Sequence, residues 1–126
     1  MEVVLDASAL LAYLRQEPGA EAVDSWIDAA VLSSVNWAEV MQKALSADVE
    51  VAGLREDLQA LGLRVEPFSA ADADMAAQLW PQTRRHGLSL ADRACLSLAL
   101  RLSLPVLTCD RVWAELALPL EIRLLR

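Results

Sequence analysis

The sequence predicts an α/β fold, a three-layer α/β/α sandwich whose central sheet is mostly parallel. Short apolar segments alternate with segments of helical periodicity along the whole chain, and the connections between them are short. Such alternation is typical of right-handed β–α–β crossovers, which place helices on both faces of a parallel sheet. The first segment, Val3-Val4-Leu5, is apolar without alternation, as in a strand covered on both faces. We interpret residues 1–126 as one domain, because a chain of this length buries a sizeable core.

The first half of the chain predicts two strands and four helices. Pro18-Gly19 separates the first two helices, and Gly62 ends the fourth. Trp37 and Val40 lie on one apolar face of the third helix, as their spacing indicates. The predicted elements are, in order, a strand at 3–5, helices at 9–14 and 20–27, a strand at 30–33, and helices at 35–46 and 50–61.

The second half predicts three strands and three helices. Pro67 lies in the first of these strands and favours an edge position, because proline cannot donate a hydrogen bond to the sheet. Ser69 and Asp72 form a capping box that opens a helix, and Pro81 kinks or ends that helix. Its predicted apolar face consists of Ala73, Ala76, Ala77 and Trp80. The predicted elements are, in order, a strand at 63–68, helices at 69–80 and 89–102, a strand at 105–108, a short helix from 110, and a strand at 121–125.

Composition and charge argue against several classes of protein. No apolar stretch approaches the ~18 residues of a membrane span, and the N-terminus lacks the order of a signal peptide, so we expect a soluble, cytoplasmic protein. Cys95 and Cys109, with a single histidine, indicate neither a disulfide framework nor a zinc site. The net charge of −7 argues against nonspecific binding to nucleic acid. A divalent cation held by several carboxylates would nevertheless reverse the local field.

Four carboxylates stand where an active site is expected. Asp6 and Asp110 each follow a predicted strand, while Glu39 and Asp92 lie near the starts of predicted helices that open towards the same edge of the sheet. Each has a local alternative, which is helix capping for the three aspartates and a solvated helix face for Glu39. Three capping groups and one solvated carboxylate need not lie close together, whereas the ligands of a metal site must. Hard oxygen ligands without a His or Cys cluster suit Mg²⁺ or Mn²⁺.

The order of these residues resembles the PIN-domain family, and most closely the VapC-type ribonuclease toxins of bacterial toxin–antitoxin pairs. The resemblance covers essentially the whole chain. It is carried by four stretches: Val4-Leu5-Asp6-Ala7-Ser8-Ala9-Leu10, Val35-Asn36-Trp37-Ala38-Glu39-Val40, Leu90-Ala91-Asp92-Arg93-Ala94-Cys95-Leu96-Ser97-Leu98-Ala99 and Val106-Leu107-Thr108-Cys109-Asp110. Ser103 stands where the family commonly has glycine, and Cys109 where it frequently has a basic residue. Neither departure removes a carboxylate.

The resemblance implies a metal-dependent endoribonuclease that is the toxin of a type II toxin–antitoxin pair. Asp6, Glu39, Asp92 and Asp110 would be its catalytic metal ligands, with Mg²⁺ as the cofactor and Mn²⁺ as a substitute. The expected partners are an RNA substrate, a cognate antitoxin protein and a second copy of the chain. An activated water would attack phosphorus in line, without a covalent intermediate.

Other polar residues near these carboxylates in sequence are candidates for supporting roles. Ser8 and Thr108 could hold carboxylates in place, and Asn36 could orient a ligand, or all three could be ordinary cap and turn residues. Four basic residues could position RNA phosphates: Arg84, Arg85, Arg93 and Arg111. For the first two of these, the alternative is a helix C-terminus that attracts cations.

Two other functions stay open at this point. A catalytically silent binding module with the PIN fold would keep the carboxylates while its groove was blocked. A receiver-type phosphoacceptor domain is also acidic, α/β and of similar length. That chemistry needs a lysine after a late strand, however, and the only lysine, Lys43, lies in an early helix.

Overall fold

A computed structural model describes all 126 residues of the chain as five strands and seven helices, with three short 3₁₀ segments. The strands are β1 (Val3–Leu5), β2 (Ala30–Ser33), β3 (Arg64–Glu66), β4 (Val106–Thr108) and β5 (Ile122–Leu124). The helices are α1 (Ala7–Leu14), α2 (Ala20–Trp26), α3 (Ser34–Ser46), α4 (Leu54–Ala60), α5 (Ala70–Gln78), α6 (Trp80–Thr83) and α7 (Leu90–Leu102). The 3₁₀ segments are Ile27–Ala29, Arg84–His86 and Arg111–Glu115.

The five strands form one sheet in the order β3-β2-β1-β4-β5, and every neighbouring pair is parallel. The predicted fold class is therefore confirmed. The chain moves outward from β1 to β3 and then returns across the sheet to β4, so the direction of winding reverses between β1 and β4. In open parallel sheets, the carboxyl edge at such a reversal is the usual place for a functional site.

The two faces of the sheet each carry a hydrophobic core, because alternate residues of a strand point to opposite sides. Val3 and Leu5 of β1 pack with α1, α2 and α3, whereas Val4 packs on the other face with α7. Both faces of β1 are thus covered, and the strand is fully buried. This arrangement explains why β1 is continuously apolar, and it places Asp6 at the end of a fully buried strand.

Most predicted elements are confirmed, with differences at their ends. β3 lies at an edge of the sheet, as Pro67 indicated. The fourth helix begins at Leu54, four positions later than predicted, after Gly53 in a left-handed conformation with φ +79°. The short helix predicted from Asp110 is a 3₁₀ segment that Asp110 caps. Cys95 and Cys109 are both free thiols. None of the helices combines the length and the apolar character needed to cross a membrane.

The predicted apolar face of α5 is wrong except at Ala76, which is buried. Ala73 and Ala77 are exposed, and the side of the helix that turns inward carries Asp72, Ala76 and Leu79. Asp72 is only 3% exposed, yet it stays charged because Arg101 of α7 donates to its carboxylate from Nε at 2.8 Å. This guanidinium and nearby hydrogen bonds lower the pKa of Asp72 against the opposing effect of burial. The sequence pattern could not reveal a partner 29 residues away.

Gly62, which follows α4, cannot be replaced without moving the backbone. A Cβ atom at this position would lie 2.5 Å from Asp28 Cα and 2.9 Å from Asp28 O, and its φ is +113°. Gly53 is the matched control, since its φ is +79° but nothing lies within 4 Å of a Cβ there. We expect Gly53→Ala to cost about 1–2 kcal/mol from its positive φ, and Gly62→Ala about 1–3 kcal/mol more because of overpacking. Urea unfolding of the two variants measures the difference, and equal losses would contradict this close approach.

Candidate active site

The four predicted carboxylates occur at the carboxyl edge of the sheet or in helices that begin there. Asp6 directly follows β1 and caps α1, and Asp110 lies two residues beyond β4. Glu39 is in the second turn of α3, the helix that follows β2. Asp92 is the third residue of α7, which packs against β1 and β2. The adjacency of β1 and β4 brings the connections after these two strands together.

Asp6 is the most buried of the four, at 5% exposure. Its Oδ1 accepts hydrogen bonds from Ser8 Oγ at 2.7 Å and Ala9 N at 2.9 Å, and its Oδ2 accepts one from Thr108 Oγ1 at 2.6 Å. Because a carboxylate oxygen has two lone pairs, Oδ1 is fully used and Oδ2 keeps one lone pair. The Ala9 bond is the helix cap that the local alternative predicts. Asp6 is therefore a cap and also retains one oxygen for a ligand.

The charge on Asp6 is held in an unfavourable environment. Its pKa is raised from 3.8 to about 6 by burial and, to a smaller extent, by the negative charge of Asp92, against the lowering effect of the bonds from Thr108, Ser8 and Ala9. At neutral pH the carboxylate is still mostly ionised. A buried anion next to a second carboxylate is the situation that a bound cation relieves.

The buried thiol of Cys95 on α7 is influenced by the charges of three of the four carboxylates. This thiol is completely buried, and its pKa is raised well above 9.0 by burial and then by the charges of Asp6, Asp92 and Glu39. The charges of these three acids therefore act on the same buried group, although the three side chains do not form a closed cluster. No group of three His, Cys, Asp or Glu side chains is close enough to hold a metal ion as placed. The four carboxylates also line none of the five cavities.

Asn36 connects the acids of α3 and α7. Its Nδ2 donates to Glu39 Oε1 at 2.9 Å and to the carbonyl oxygen of Ala91 at 3.0 Å, next to Asp92. The side chain is 1% exposed, and its Oδ1 is buried without a hydrogen-bond partner. Buried polar atoms are nearly always paired, so an orphaned amide oxygen beside two carboxylates indicates a missing donor or cation.

Asp92 and Asp110 keep the local roles that the alternatives predict. Asp92 Oδ2 accepts from Ser89 N at 3.0 Å, and Ser89 Oγ accepts from Asp92 N at 3.1 Å, which is a complete capping box. Asp92 is half-buried, and its charge acts on Asp6. Asp110 is exposed, and its Oδ1 accepts from Val112 N at 3.1 Å. Asp110 is thus the least enclosed of the four.

Hydroxyl groups join the connections that follow β1 and β4. Thr108 Oγ1 donates to Asp6 and accepts from Asp110 N at 3.0 Å. Ser8 Oγ also donates to Asp6, and it accepts from Cys109 N at 3.0 Å. One buried hydroxyl therefore links the carboxylate of Asp6 to the backbone N–H of Asp110. These contacts fit the carboxylate-holding role considered for Ser8 and Thr108.

The candidate phosphate-binding arginines are in different environments. Arg93 Nη1 donates to the carbonyl oxygen of Ala76 at 2.8 Å, so this side chain ties α7 to α5. Arg85 and Arg111 are exposed. Arg84 lies over the ring of Trp80, 5.0 Å from its centroid. The helical spacing predicts Trp80 on an apolar face, but 48% of the residue is exposed. The i, i+4 spacing of Trp80 and Arg84 was the available signal for their contact.

Comparisons with known proteins give a family and a fold. A sequence model of the PIN domain matches residues 3–118. A toxin–antitoxin complex from Klebsiella pneumoniae contains a chain that superimposes with a TM-score of 0.78 at 20% identity, over 99% of this chain and 98% of that one. DNA-bound VapBC from Salmonella typhimurium gives 0.76 at 16% identity, over 100% and 99%. FitAcB from Neisseria gonorrhoeae gives 0.69 at 24%, over 95% of each chain. No curated protein matches by sequence.

Proposed function

The chain belongs to the PIN domain family, and from this premise we propose that it is a metal-dependent endoribonuclease, the toxin of a type II toxin–antitoxin pair. The observation that carries the proposal is the environment of Asp6. This buried carboxylate has a pKa raised to about 6, lies beside the charge of Asp92, and keeps one free lone pair at the carboxyl edge of β1. The family match also favours a nuclease over a receiver-type phosphoacceptor domain.

The side chains at this edge suit a hard divalent cation such as Mg²⁺, with Mn²⁺ as a substitute. Asp6 Oδ2 has a free lone pair, and Asn36 Oδ1 is buried without a partner. We propose that Asp6 and Asp92 are the main ligands, and that Glu39 and Asp110 complete the site directly or through water. When bound, the cation would activate a water and stabilise the charge that develops on the phosphodiester.

The protein's own groups would hold the reacting parts in position. Ser8 and Thr108 fix both oxygens of Asp6, and Asn36 fixes one oxygen of Glu39. Water would attack phosphorus in line, and the departing sugar oxygen would take up a proton, without a covalent link to the protein. Arg85 and Arg111 would contact RNA phosphates, Arg84 would contact the RNA beside Trp80, and Arg93 would contribute through the position of α7.

We expect Thr108→Val to lower metal-dependent RNA cleavage about 10–100-fold, the usual effect of losing a hydrogen-bond partner of a metal ligand. The two side chains have nearly the same shape, and the change removes the donor to Asp6 and the acceptor for Asp110 N. Thr83→Val is the matched control, because Thr83 is equally buried and bonds only the carbonyl of Leu79 within the neighbouring helical turn. Cleavage rates across a Mg²⁺ titration measure the effect. Wild-type rates in Thr108→Val would refute the supporting role.

The proposed partners follow from the family and from related complexes. Chains of the same fold occur in a toxin–antitoxin complex and in VapBC bound to DNA. We therefore propose that a cognate antitoxin covers the acidic edge of this chain, that the chain forms a homodimer, and that it acts on RNA in the cytoplasm. Co-expression with the antitoxin-like product of a neighbouring reading frame tests the pairing by co-purification.

The decisive experiment measures RNA cleavage by the purified chain with about 5 mM EDTA and with excess Mg²⁺ or Mn²⁺. A cation concentration on the order of 10 mM is well above the dissociation constant of a site whose cation keeps several waters. We expect cleavage products only when the divalent cation is present. Binding of Mn²⁺ without cleavage of any RNA pool would instead favour the catalytically silent binding module. Stable acyl-phosphate labelling of the chain by a small phosphodonor would favour the receiver-type alternative.

A further inference from the structure

An exposed aromatic and cationic surface lies outside the carboxylate site. We call it the Trp80 surface, and it consists of Trp80, Arg84, Arg85 and His86 in α6 and the 3₁₀ segment that follows. Trp80 is 48% exposed, and the Arg84 guanidinium lies 5.0 Å from its ring centroid. In a protein with a net charge of −7, two adjacent arginines without a carboxylate partner are unusual. The charge of this surface is therefore positive, whereas the net charge of the molecule is negative.

A cleft of about 400 Å³ adjoins this surface. One wall contains Pro81, Gln82, Arg85 and His86, and the other contains Glu115 and Ala117. The volume lies within the range of small-ligand sites. The cleft has one acid, so Arg85 and His86 are the groups that would receive a phosphate, and Glu115 can accept a hydrogen bond from an exocyclic amine.

Both chain segments that form the cleft are followed or preceded, within a few residues, by residues of the candidate active site. The Arg84–His86 segment is followed after two residues by Ser89, which caps α7 and bonds Asp92. The Arg111–Glu115 segment begins next to Asp110, which caps it. Because one residue of chain spans at most about 3.6 Å, Arg85 lies within roughly 14 Å of Ser89. A nucleic acid strand of a few nucleotides covers that distance.

From this juxtaposition we infer that the Trp80 surface holds an unpaired nucleotide of single-stranded RNA next to the bond that is cut. The inference rests on the proposed ribonuclease function and adds to it the surface that holds the RNA beside the site. The base stacks on the Trp80–Arg84 pair, and the adjacent phosphates contact Arg85. Aromatic rings and arginine planes bind bases only where the bases are unstacked, so paired RNA does not fit this surface.

The test measures binding of RNA separately from its cleavage. The full chain carrying Asp6→Asn is titrated against two fluorescein-labelled probes, a single-stranded RNA and a hairpin of the same composition, and anisotropy is recorded with Mg²⁺ present. Trp80→Ala is expected to weaken single-strand binding about 5- to 100-fold, the effect of losing one stacked base. Trp80→Phe is expected to restore most of the binding, because a flat ring is retained. The hairpin is expected to bind weakly to all variants.

Arg55→Ala is the matched control for loss of positive charge. Arg55 is exposed on α4, in the opposite helix layer, and its ion pair with Glu56 is long, at 3.9 Å. Arg84→Ala is expected to weaken single-strand binding clearly more than Arg55→Ala does. Stronger binding of the hairpin, equal losses in the two arginine variants, or no measurable RNA binding would each overturn the inference.

The outcomes separate this inference from the ribonuclease proposal. If the wild-type chain cleaves RNA while Trp80→Ala binds single strands normally, the inference fails alone and a protein partner becomes the better occupant of the surface. If binding depends on Trp80 while the wild-type chain never cleaves RNA, the surface is supported and the nuclease proposal fails.

Discussion

Asp6→Asn is expected to reduce Mg²⁺-dependent RNA cleavage by at least about 100-fold. Removing a partner that merely orients a metal ligand costs 10–100-fold, so losing the charge of a ligand itself is expected to cost more. The change keeps the size of the side chain and an oxygen able to accept the bonds of Ser8 Oγ and Ala9 N, which Asp6 Oδ1 accepts at 2.7 and 2.9 Å, and it removes only the bond that Oδ2 accepts from Thr108 Oγ1. The loss should therefore come from the site and not from the fold. Initial rates on a labelled RNA at saturating Mg²⁺ provide the measurement.

Asp74→Asn is the matched control for this experiment. Asp74 is exposed on α5, and the substitution makes the same chemical change away from the carboxyl edge. We expect this variant to cleave RNA at the wild-type rate. If Asp6→Asn were as active as Asp74→Asn, Asp6 would not be a metal ligand, and the proposed site would have to be abandoned.

The same Asp6→Asn substitution is expected to stabilise the metal-free protein at neutral pH. The folded pKa of Asp6 is raised from 3.8 to about 6. Below pH 3.8 the carboxyl is protonated in both the folded and unfolded states, so its burial carries no charge penalty. As the pH rises from about 4 through 6, the unfolded state loses its proton first, and the folded state becomes less stable. The full penalty at pH 7.5 is up to about 3 kcal/mol, at 1.36 kcal/mol for each unit of pKa.

The difference between the two proteins isolates this effect. The free energy of unfolding of Asp6→Asn minus that of the wild type should be near zero at pH 3.8 and should increase up to pH 7. Other titrating groups, such as Asp72 with its lowered pKa, affect both proteins equally and cancel. Urea unfolding in EDTA at several pH values measures the difference. A variant less stable than the wild type at pH 7.5 would mean that Asp6 mainly stabilises the fold.

The two predictions for Asp6 have opposite signs, and together they distinguish a functional carboxylate from a structural one. A helix cap contributes about 1 kcal/mol, and Asn caps helices about as well as Asp. A gain in stability with a loss of cleavage is the pattern of a group kept in an unfavourable state for its chemistry. Addition of Mg²⁺ should then stabilise the wild type more than the variant, because the cation binds only the folded site.

The sequence predicted the fold class, because hydrophobic periodicity and short connections are local properties. The coverage of β1 on both faces and the edge position of β3 were both correctly predicted, although Pro67, which indicated the edge, lies one residue beyond the strand. Periodicity was less informative for α5, whose buried side includes Asp72. A hydrophobicity pattern assigns every charged residue to the exposed side of a helix. Asp72 is buried because an oppositely charged residue on another helix, Arg101, binds its carboxylate.

The hydrogen bonds between neighbouring residues of the candidate site were predictable, but the contacts between residues far apart in sequence were not. Helix caps involve residues two or three positions apart, so the bonds of Asp6 to Ala9 N and of Asp110 to Val112 N could be expected. The bond from Thr108 to Asp6 spans 102 positions and exists because β1 and β4 are neighbours in the sheet. Strand order depends on long-range packing, which no local pattern encodes.

Two capping boxes show what the sequence by itself determined and what only the tertiary structure decided. Ser69–Asp72 and Ser89–Asp92 have the same spacing, and both form complete boxes, because a cap needs only its neighbours in the chain. The surroundings differ. Asp72 meets Arg101, which lowers its pKa, whereas the charge of Asp92 reaches the buried Asp6 and raises the pKa of that residue. Helix packing determines which charge each carboxylate faces, and that charge separates a structural ion pair from a candidate metal ligand.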